Sequence, residues 1–216
     1  MNKEHSFGGM TLTQRVFKRT FDIVFAALGL IISGWLILIL WVIATVDTGK
    51  NGFFRQKRVG KDGKLFDIVK LRTMKDISGI DTTNTRGDDP RITPFGRFLR
   101  KFKLDELPQL LNVLIGRMSF VGPRPDVPGY ADRLKGDDRI ILSIRPGITG
   151  PATLFFRDEE KLLSKQSDPD RYNDEVIYPK KVQLNRKYIE YYRFSKDIKY
   201  IWNTLFAKTP LRENDE

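Results

Sequence analysis

The sequence predicts an α+β, mostly helical protein. An N-terminal membrane helix, re-entrant or spanning, leads into a cytoplasmic domain with a short β-hairpin and interfacial amphipathic helices. Three observations carry this. Residues 23–46 hold no charged side chain. Two short β-type runs flank an Asp-Gly turn. Most remaining apolar residues recur at helical spacing. The expected division is 1–47 for the N-terminal segment and membrane helix, and 48–216 for the domain.

The apolar run comes first. It is 24 residues long and is bracketed by Asp22 and Asp47. As a straight helix it extends about 36 Å, enough to cross a hydrocarbon core of about 30 Å. It is longer than the apolar part of a secretory signal, and no Ala-x-Ala-like site follows it. Lys3, Arg15, Lys18 and Arg19 precede it; Lys50, Arg55, Lys57, Arg58, Lys61 and Lys64 follow. Positive charge beside a membrane segment favours the cytoplasm, so both ends call for the same side. One ordinary span cannot satisfy that. A helix that enters and turns back can, with Ser33-Gly34 as its bend. Both courses stand at this point.

The β-type runs are Phe53–Val59 and Leu65–Leu71, with Gly60-Lys61-Asp62-Gly63 between them: a hairpin. Residues 76–94 are polar and carry Gly79, Gly87, Pro90 and Pro94, which reads as a loop. Residues 95–103 form a basic helical stretch, and leucines at 104, 107, 110, 111 and 114 mark a helix over 104–114. Three prolines make 118–128 a rigid extended loop. A helix over 132–142, a loop over 145–151 and a helix over 158–167 follow. The last element is one long helix over 179–206. Phe194, Ile198, Ile201 and Leu205 fall at i, i+4, i+7 and i+11 among interleaved Lys, Arg, Tyr and Trp. That pattern suits either a basic-faced core helix or a helix lying on an anionic membrane surface.

Composition narrows the chemistry. Lys and Arg total 38 against 27 Asp and Glu, a net charge of +11. An anionic partner follows: nucleic acid, anionic lipid or a phosphorylated substrate. There is no cysteine, which excludes disulfides, Cys-ligated zinc, iron–sulfur centres and a thiol nucleophile. The single histidine is His5, so His-based triads and HExxH zinc sites are excluded too. Catalysis must run on carboxylates, Lys or Arg, hydroxyls or a hard metal. Dinucleotide-binding, Walker A, EF-hand, zinc-finger and homeodomain patterns are all missing.

Two segments are candidates. In Lys103-Leu104-Asp105-Glu106-Leu107-Pro108-Gln109, Pro108 is tolerated only near a helix start, which sets Asp105 and Glu106 at the positive end of a helix. Arg97, Arg100, Lys101 and Lys103 precede them. Helix-start charges complementing the dipole are one account. A phosphate-attracting site is the other, where one carboxylate could hold Mg²⁺ while the other attacks phosphorus. In Ser119-Phe120-Val121-Gly122-Pro123-Arg124-Pro125, two prolines fix the backbone around one Arg. It suits either a structural ion pair or bidentate binding of phosphate or carboxylate.

These motifs together resemble the bacterial sugar transferases, small monotopic phosphoglycosyl transferases that act on polyprenyl phosphate. The resemblance runs through Lys18-Arg19-Thr20-Phe21-Asp22, Phe54-Arg55-Gln56-Lys57-Arg58-Val59-Gly60 and Phe66-Asp67-Ile68-Val69-Lys70-Leu71-Arg72-Thr73-Met74. It continues through Asp105-Glu106-Leu107-Pro108-Gln109-Leu110 with Asn112-Val113-Leu114, through Met118 to Pro125, and through Arg145-Pro146-Gly147-Ile148-Thr149-Gly150. It implies Asp105 as the nucleophile on the β-phosphorus of a UDP-sugar, with UMP expelled and a phosphosugar left on the enzyme. Undecaprenyl phosphate then takes the phosphosugar. Glu106 matches the carboxylate that holds Mg²⁺; Lys70, Arg100, Arg124 and Arg157 match phosphate-contacting positions. The resemblance also implies the bacterial inner membrane, a cytoplasmic catalytic face, and the first membrane step of a surface polysaccharide or glycoconjugate pathway. It further implies a minimal form without the extra membrane helices of larger relatives. Two positions depart from the pattern: Ser33-Gly34 stands where Ser-Pro is usual, and Pro151-Ala152 where many members carry Trp-Ala.

Two rivals remain. A membrane-anchored basic module could bind nucleic acid or anionic lipid without chemistry. The Asp105-Glu106 pair argues against it, since a phosphate-backbone binder gains nothing from paired anions, and no nucleic-acid partner is expected. A glycosyltransferase that moves only the sugar would release UDP rather than UMP.

Overall fold

The computed structural model describes residues 9–77, 89–207 and 209–210. His5 and the glycines of the 76–94 loop, Gly79 and Gly87, lie outside the described residues. The protein is mostly helical, with two small two-stranded sheets.

Helix α1 spans Leu12–Thr48, 37 residues or about 55 Å. It starts well before the apolar run because Thr11 and Gln14 form a reciprocal cap, each side chain bonding the other's backbone N–H (3.2 and 2.8 Å). Gly49, at φ 70°, closes it. The helix passes through Ser33-Gly34 without a break. Unlike Pro, this pair keeps every backbone N–H, and Ser33 Oγ donates to Gly29 O at 2.6 Å, so nothing forces the chain out of the helix.

α1 buries residues toward both ends, Lys18, Asp22 and Ala26 in its first half and Ile37, Leu40, Ala44 and Thr48 in its second, with none buried between 26 and 37. Near its start, Arg19 donates to Val113 O and Leu114 O (2.6 and 2.8 Å). Asp22 accepts from Ser119 Oγ and Phe120 N (3.1 and 3.0 Å). Near its end, Trp41 stacks on Phe53, and Thr45 Oγ1 accepts from Gly52 N at 2.9 Å. Lys18 and Arg19, counted above as membrane-flanking charges, are therefore spent on contacts within the fold. The opposite face, from Leu12 to Val46, is exposed and almost wholly apolar.

The hairpin forms as expected. β1 (Phe53–Val59) pairs antiparallel with β2 (Leu65–Leu71), Phe53 opposite Leu71. Asp62 and Gly63 take the positive φ values (59° and 77°) that the tight turn needs. Helix α2 (Pro94–Lys101) is capped by Thr93, whose Oγ1 accepts from Gly96 N at 2.8 Å.

Elsewhere the structure corrects the expected elements. The 104–114 helix divides at Pro108 into a single 3₁₀ turn, Leu104–Glu106, and α3, Gln109–Leu114. The loops at 118–128 and 145–151 contribute β3 (Ser119–Val121) and β4 (Gly147–Thr149), a parallel pair too short to announce itself by alternation. The 132–142 helix is instead two 3₁₀ segments, Ala131–Arg133 and Gly136–Ser143, separated where Leu134 is extended and Gly136 has φ 57°. The 158–167 helix shortens to α5, Glu159–Leu163, between α4 (Pro151–Phe155) and α6 (Pro169–Tyr172).

The long C-terminal helix is two, α7 (Tyr178–Glu190) and α8 (Phe194–Phe206). No Gly or Pro marks the break at 191–193. Tertiary contacts make it: Tyr188 packs its ring against Tyr192 and Tyr200, and Tyr188 and Tyr192 both donate to Asp197 (2.6 and 3.0 Å). Lys18 completes this cluster at 2.5 Å from Asp197. The expected α8 stripe is shared out. Phe194 and Ile201 pack on the core, whereas Ile198 and Leu205 face outward with Trp202 and Phe206.

Three apolar clusters hold the domain. The largest joins Val59, Val121, Leu142, Leu154, Tyr188 and Ile189. The other two recruit α1: Ala26 with Phe66, Ile68, Val113 and Met118, and Leu40 with Leu71 and Leu99.

Candidate active site

The site lies where β2, the turn after α2 and the loop after β3 converge. Lys70 stands on β2 in alternation with Phe66 and Ile68, so the face that enters the core also aims Lys70 at the site. α3 is tied to the outer edge of β2 by Asn112. Its Oδ1 accepts from Val69 N (3.1 Å) and its Nδ2 donates to Asp67 O (2.8 Å), so one side chain imitates a neighbouring strand. This fixes the Asp105-Glu106 turn, immediately before α3, against Lys70.

α2 is seated by Gly96. A Cβ there would lie 2.0 Å from Thr73 O, so only glycine lets the helix approach this closely. The approach brings Arg100 to Thr73, with Nε donating to Oγ1 at 2.9 Å. Arg124 is placed by the β3–β4 pair. Gly122 N donates to Thr149 O (2.9 Å) and Gly147 N to Pro123 O (2.8 Å), backbones too close for a side chain between them.

The adjacent carboxylates differ sharply. Glu106 Oε1 accepts from Lys70 Nζ (3.1 Å) and Arg124 Nη2 (2.7 Å). Burial alone would raise its pKa; Arg124 and Lys70 outweigh burial and hold the group well below the usual carboxylate range. Asp105 is also buried, but among the described residues no side chain hydrogen-bonds or ion-pairs with it. Burial pushes its pKa up; Lys70 and Arg100 oppose this, and the neighbouring Glu106 adds to it. The nearby cations thus outweigh burial at Glu106 and not at Asp105. Lys70 itself is pushed down by burial, against the pull of Glu106.

Of the six residues singled out in the sequence, Lys70, Asp105, Glu106 and Arg124 come together, with Arg100 close enough to act on Asp105. Arg157 instead donates to Asn203 O (2.7 Å) and Ala207 O, closing the end of α8, although its charge is still felt at Lys103. Sequence reasoning missed Arg58 and Asp126. Arg58 donates to Pro125 O at 3.3 Å and supports the Arg124 loop from below. Asp126 is half-buried, and loss of solvent raises its pKa to about 6 against the opposing charges of Lys181, Arg58 and Arg124. Their signal was position alone: Arg58 inside a quoted motif, Asp126 one residue past another.

The arrangement offers one carboxylate with uncommitted lone pairs, a second locked by two cations, and further cations around both. It suits attack on an electrophilic phosphorus whose oxygens need compensation. For a hard divalent cation, Glu106 fits as ligand, because it stays ionised and both its cations share one oxygen. No group of three or more His, Asp or Glu gathers around any point among the described residues. Such an ion would take one or two carboxylates and complete its shell with substrate oxygens and water, as Mg²⁺ does.

Comparison with known proteins gives a family model, described as bacterial sugar transferase, that matches residues 13–209. The undecaprenyl-phosphate galactose phosphotransferase of Salmonella typhimurium is 35% identical over 94% of this chain and 42% of its own length. The UDP-glucose:undecaprenyl-phosphate glucose-1-phosphate transferase of Escherichia coli is 34% identical over 89% of this chain and 40% of its own. The exopolysaccharide production protein ExoY of Sinorhizobium fredii is 30% identical over 89% and 85%. The chain thus spans less than half the length of the first two relatives.

Proposed function

The chain belongs to the bacterial sugar transferase family, and we propose that it is a phosphoglycosyl transferase moving a phosphosugar from a UDP-sugar to undecaprenyl phosphate. The observation that carries this reading is the asymmetry of the carboxylate pair. Glu106 is immobilised by Lys70 and Arg124, while Asp105 beside it has no side-chain partner among the described residues and a raised basicity.

A carboxylate oxygen of Asp105 attacks the β-phosphorus of the donor. The bond from that phosphorus to the bridging oxygen breaks, and UMP leaves with the electron pair. The product on the enzyme is an acyl phosphosugar. The phosphate oxygen of undecaprenyl phosphate then attacks the same phosphorus and expels the Asp105 carboxylate, giving the diphosphate-linked sugar. Arg124, Lys70 and Arg100 compensate charge on the phosphoryl oxygens, where electrostatics and positioning supply most of the rate. When bound, Mg²⁺ would neutralise charge on the leaving phosphate, with Glu106 as its protein ligand. The reading as a basic module that binds nucleic acid or anionic lipid has nothing comparable in its support.

One experiment separates this route from direct transfer and from release of UDP. Enzyme mixed with a UDP-sugar and Mg²⁺, without lipid, should release UMP in a burst approaching one equivalent per site, and β-³²P label should stay on the protein. Excess EDTA should abolish the burst. UMP that appears only after undecaprenyl phosphate is added would exclude the covalent route, and UDP as the product would exclude the reaction class.

We place the domain on the cytoplasmic face of the bacterial inner membrane, at the first membrane step of a surface polysaccharide or glycoconjugate. Both ends of the unbroken α1 pack against the same domain, which supports both ends lying on one side of the membrane, and the outward apolar faces of α1 and α8 suit a helix resting along the lipid surface rather than turning back within it. The chain has no cysteine, so Thr13→Cys and Arg55→Cys report cleanly. Neither should react with a membrane-impermeant maleimide in intact cells, and both should after permeabilisation. Labelling of Thr13→Cys from outside would establish a span.

A further inference from the structure

Other cations at or near the carboxylate pair already have protein partners. Lys70 and Arg124 both donate to Glu106 Oε1. Arg100 donates to Thr73 Oγ1 and Met74 Sδ. Arg157 donates to backbone carbonyls at the end of α8. Lys103 differs: among the described residues its amine makes no hydrogen bond or ion pair. Its side chain is exposed, yet it acts on both Asp105 and Glu106.

The backbone of Lys103 supplies a second observation. It lies at φ 55°, ψ 24°, in the left-handed region. Its N–H donates to Arg100 O (3.1 Å) as α2 ends, and its carbonyl accepts from Glu106 N (3.3 Å) as the next turn begins. This is the position after a helix where glycine, having no Cβ, is the ordinary occupant and asparagine the usual substitute. Among the described residues the other non-glycine with positive φ is Asp62, in the hairpin turn, where a short polar side chain tolerates that conformation. Lysine gains nothing of the kind. A residue that the backbone disfavours, with its charge unspent, stands two positions before the proposed nucleophile.

The charge count gives that cation a task. Lys70, Arg124 and Arg100 exceed Glu106 and Asp105 by a single positive charge, so the core of the site by itself offers an incoming dianion only part of the charge it needs. Glu106 and Asp105 attract the Lys103 amine, and Arg124 and Arg157 repel it. The amine sits among like and unlike charges that an added diphosphate would tip in its favour.

We propose that Lys103 is a substrate ligand, binding the diphosphate of the nucleotide-sugar donor. The assignment rests on the donor reading above. It is tested by titrating UDP, with Mg²⁺ present, into the full chain in detergent micelles, for wild type and for Lys103→Gly, Lys103→Asn and Lys103→Arg. Glycine and asparagine fit the left-handed backbone, so their thermal midpoints should equal or exceed that of wild type. Their affinity for UDP should nonetheless fall about tenfold or more, the size of one charge-assisted hydrogen bond. Arginine should stay within about threefold of wild type, and the gap should narrow at 1 M salt. Lys103→Gly binding UDP as tightly as wild type would overturn the assignment while leaving the donor reading intact. So would Lys103→Arg losing as much as Lys103→Gly. A wild type that binds no UDP would overturn the donor reading and this assignment with it.

Discussion

Two clusters in this molecule bring a cation to a sequestered carboxylate: one where α1 meets α8, the other where β2 meets the turn before α3. At the first, Asp197 is saturated. Tyr188 donates to one oxygen, Tyr192 and Lys18 to the other, and the Asp197 side chain is only 2% exposed. At the second, Lys70 and Arg124 crowd onto a single oxygen of Glu106, while Asp105 next to it has no side-chain partner among the described residues. The ingredients are alike; the completeness of the pairing is not. A fully satisfied buried network holds elements together. An unfinished one leaves a reactive group and surplus charge for something that is not protein.

The comparison breaks most visibly at Asp105. Asp105→Asn should lower phosphosugar transfer by about a thousandfold or more. It should leave the thermal midpoint unchanged or slightly raised, because the amide replaces a carboxylate whose ionised form burial disfavours. Loss of activity together with loss of folding would mean that Asp105 belongs to the structural class after all.

Lys18→Met should do the reverse. It leaves a charged Asp197 buried without its counter-ion, a change that costs about 3–5 kcal/mol when one partner of a buried pair is removed. Activity measured below the lowered midpoint should persist. Adding Asp197→Asn should recover part of the loss, and strict additivity of the two would show that the pair is not coupled. A thermal midpoint equal to wild type would remove Lys18 from the clamp.

Asp126 sharpens the contrast with a smaller effect, being half-buried near cations without being paired. Its folded pKa of about 6 is raised by burial above its unfolded value. The protonated group therefore contributes stability that is fully present below the unfolded pKa of about 4 and is lost as pH rises through about 6. Asp126→Asn should stabilise the protein by about 1–3 kcal/mol at pH 8 and by almost nothing at pH 4. Thermal melts at both pH values check this, and equal shifts at the two would refute it.

Legibility in the sequence followed the range of the forces involved. The hairpin was readable to its end residues because its signals, an Asp-Gly turn and β-type runs, are local. The Asp105-Glu106 pair and Arg124 were readable because prolines beside them limit the backbone. The division of 179–206 was hidden, since the break at 191–193 is made by Tyr192 turning inward to Asp197 and not by any residue that resists a helix. The parallel β3–β4 pair was hidden because each strand has three residues and depends on glycines meeting across 25 positions of sequence. Lys103 was visible as one basic residue among several; its distinction is a φ angle, which composition does not carry.

The clamp at Lys18 also has a consequence for the order in which the chain is made. Its counter-ion lies 179 residues downstream. At synthesis rates of about 5–20 residues per second, α1 leaves the ribosome many seconds before Asp197 exists. Through the first part of that interval, until residues 99 and 113 have themselves been made, its most apolar stretch has neither Val113 nor Leu99 to pack against. The helix is therefore committed to lipid or to a holding factor before it can be committed to its own domain. The final fold closes late, by a contact of long sequence separation that nascent chains form slowly. A chain released before residue 197 would carry an inserted helix whose basic end has nothing to hold.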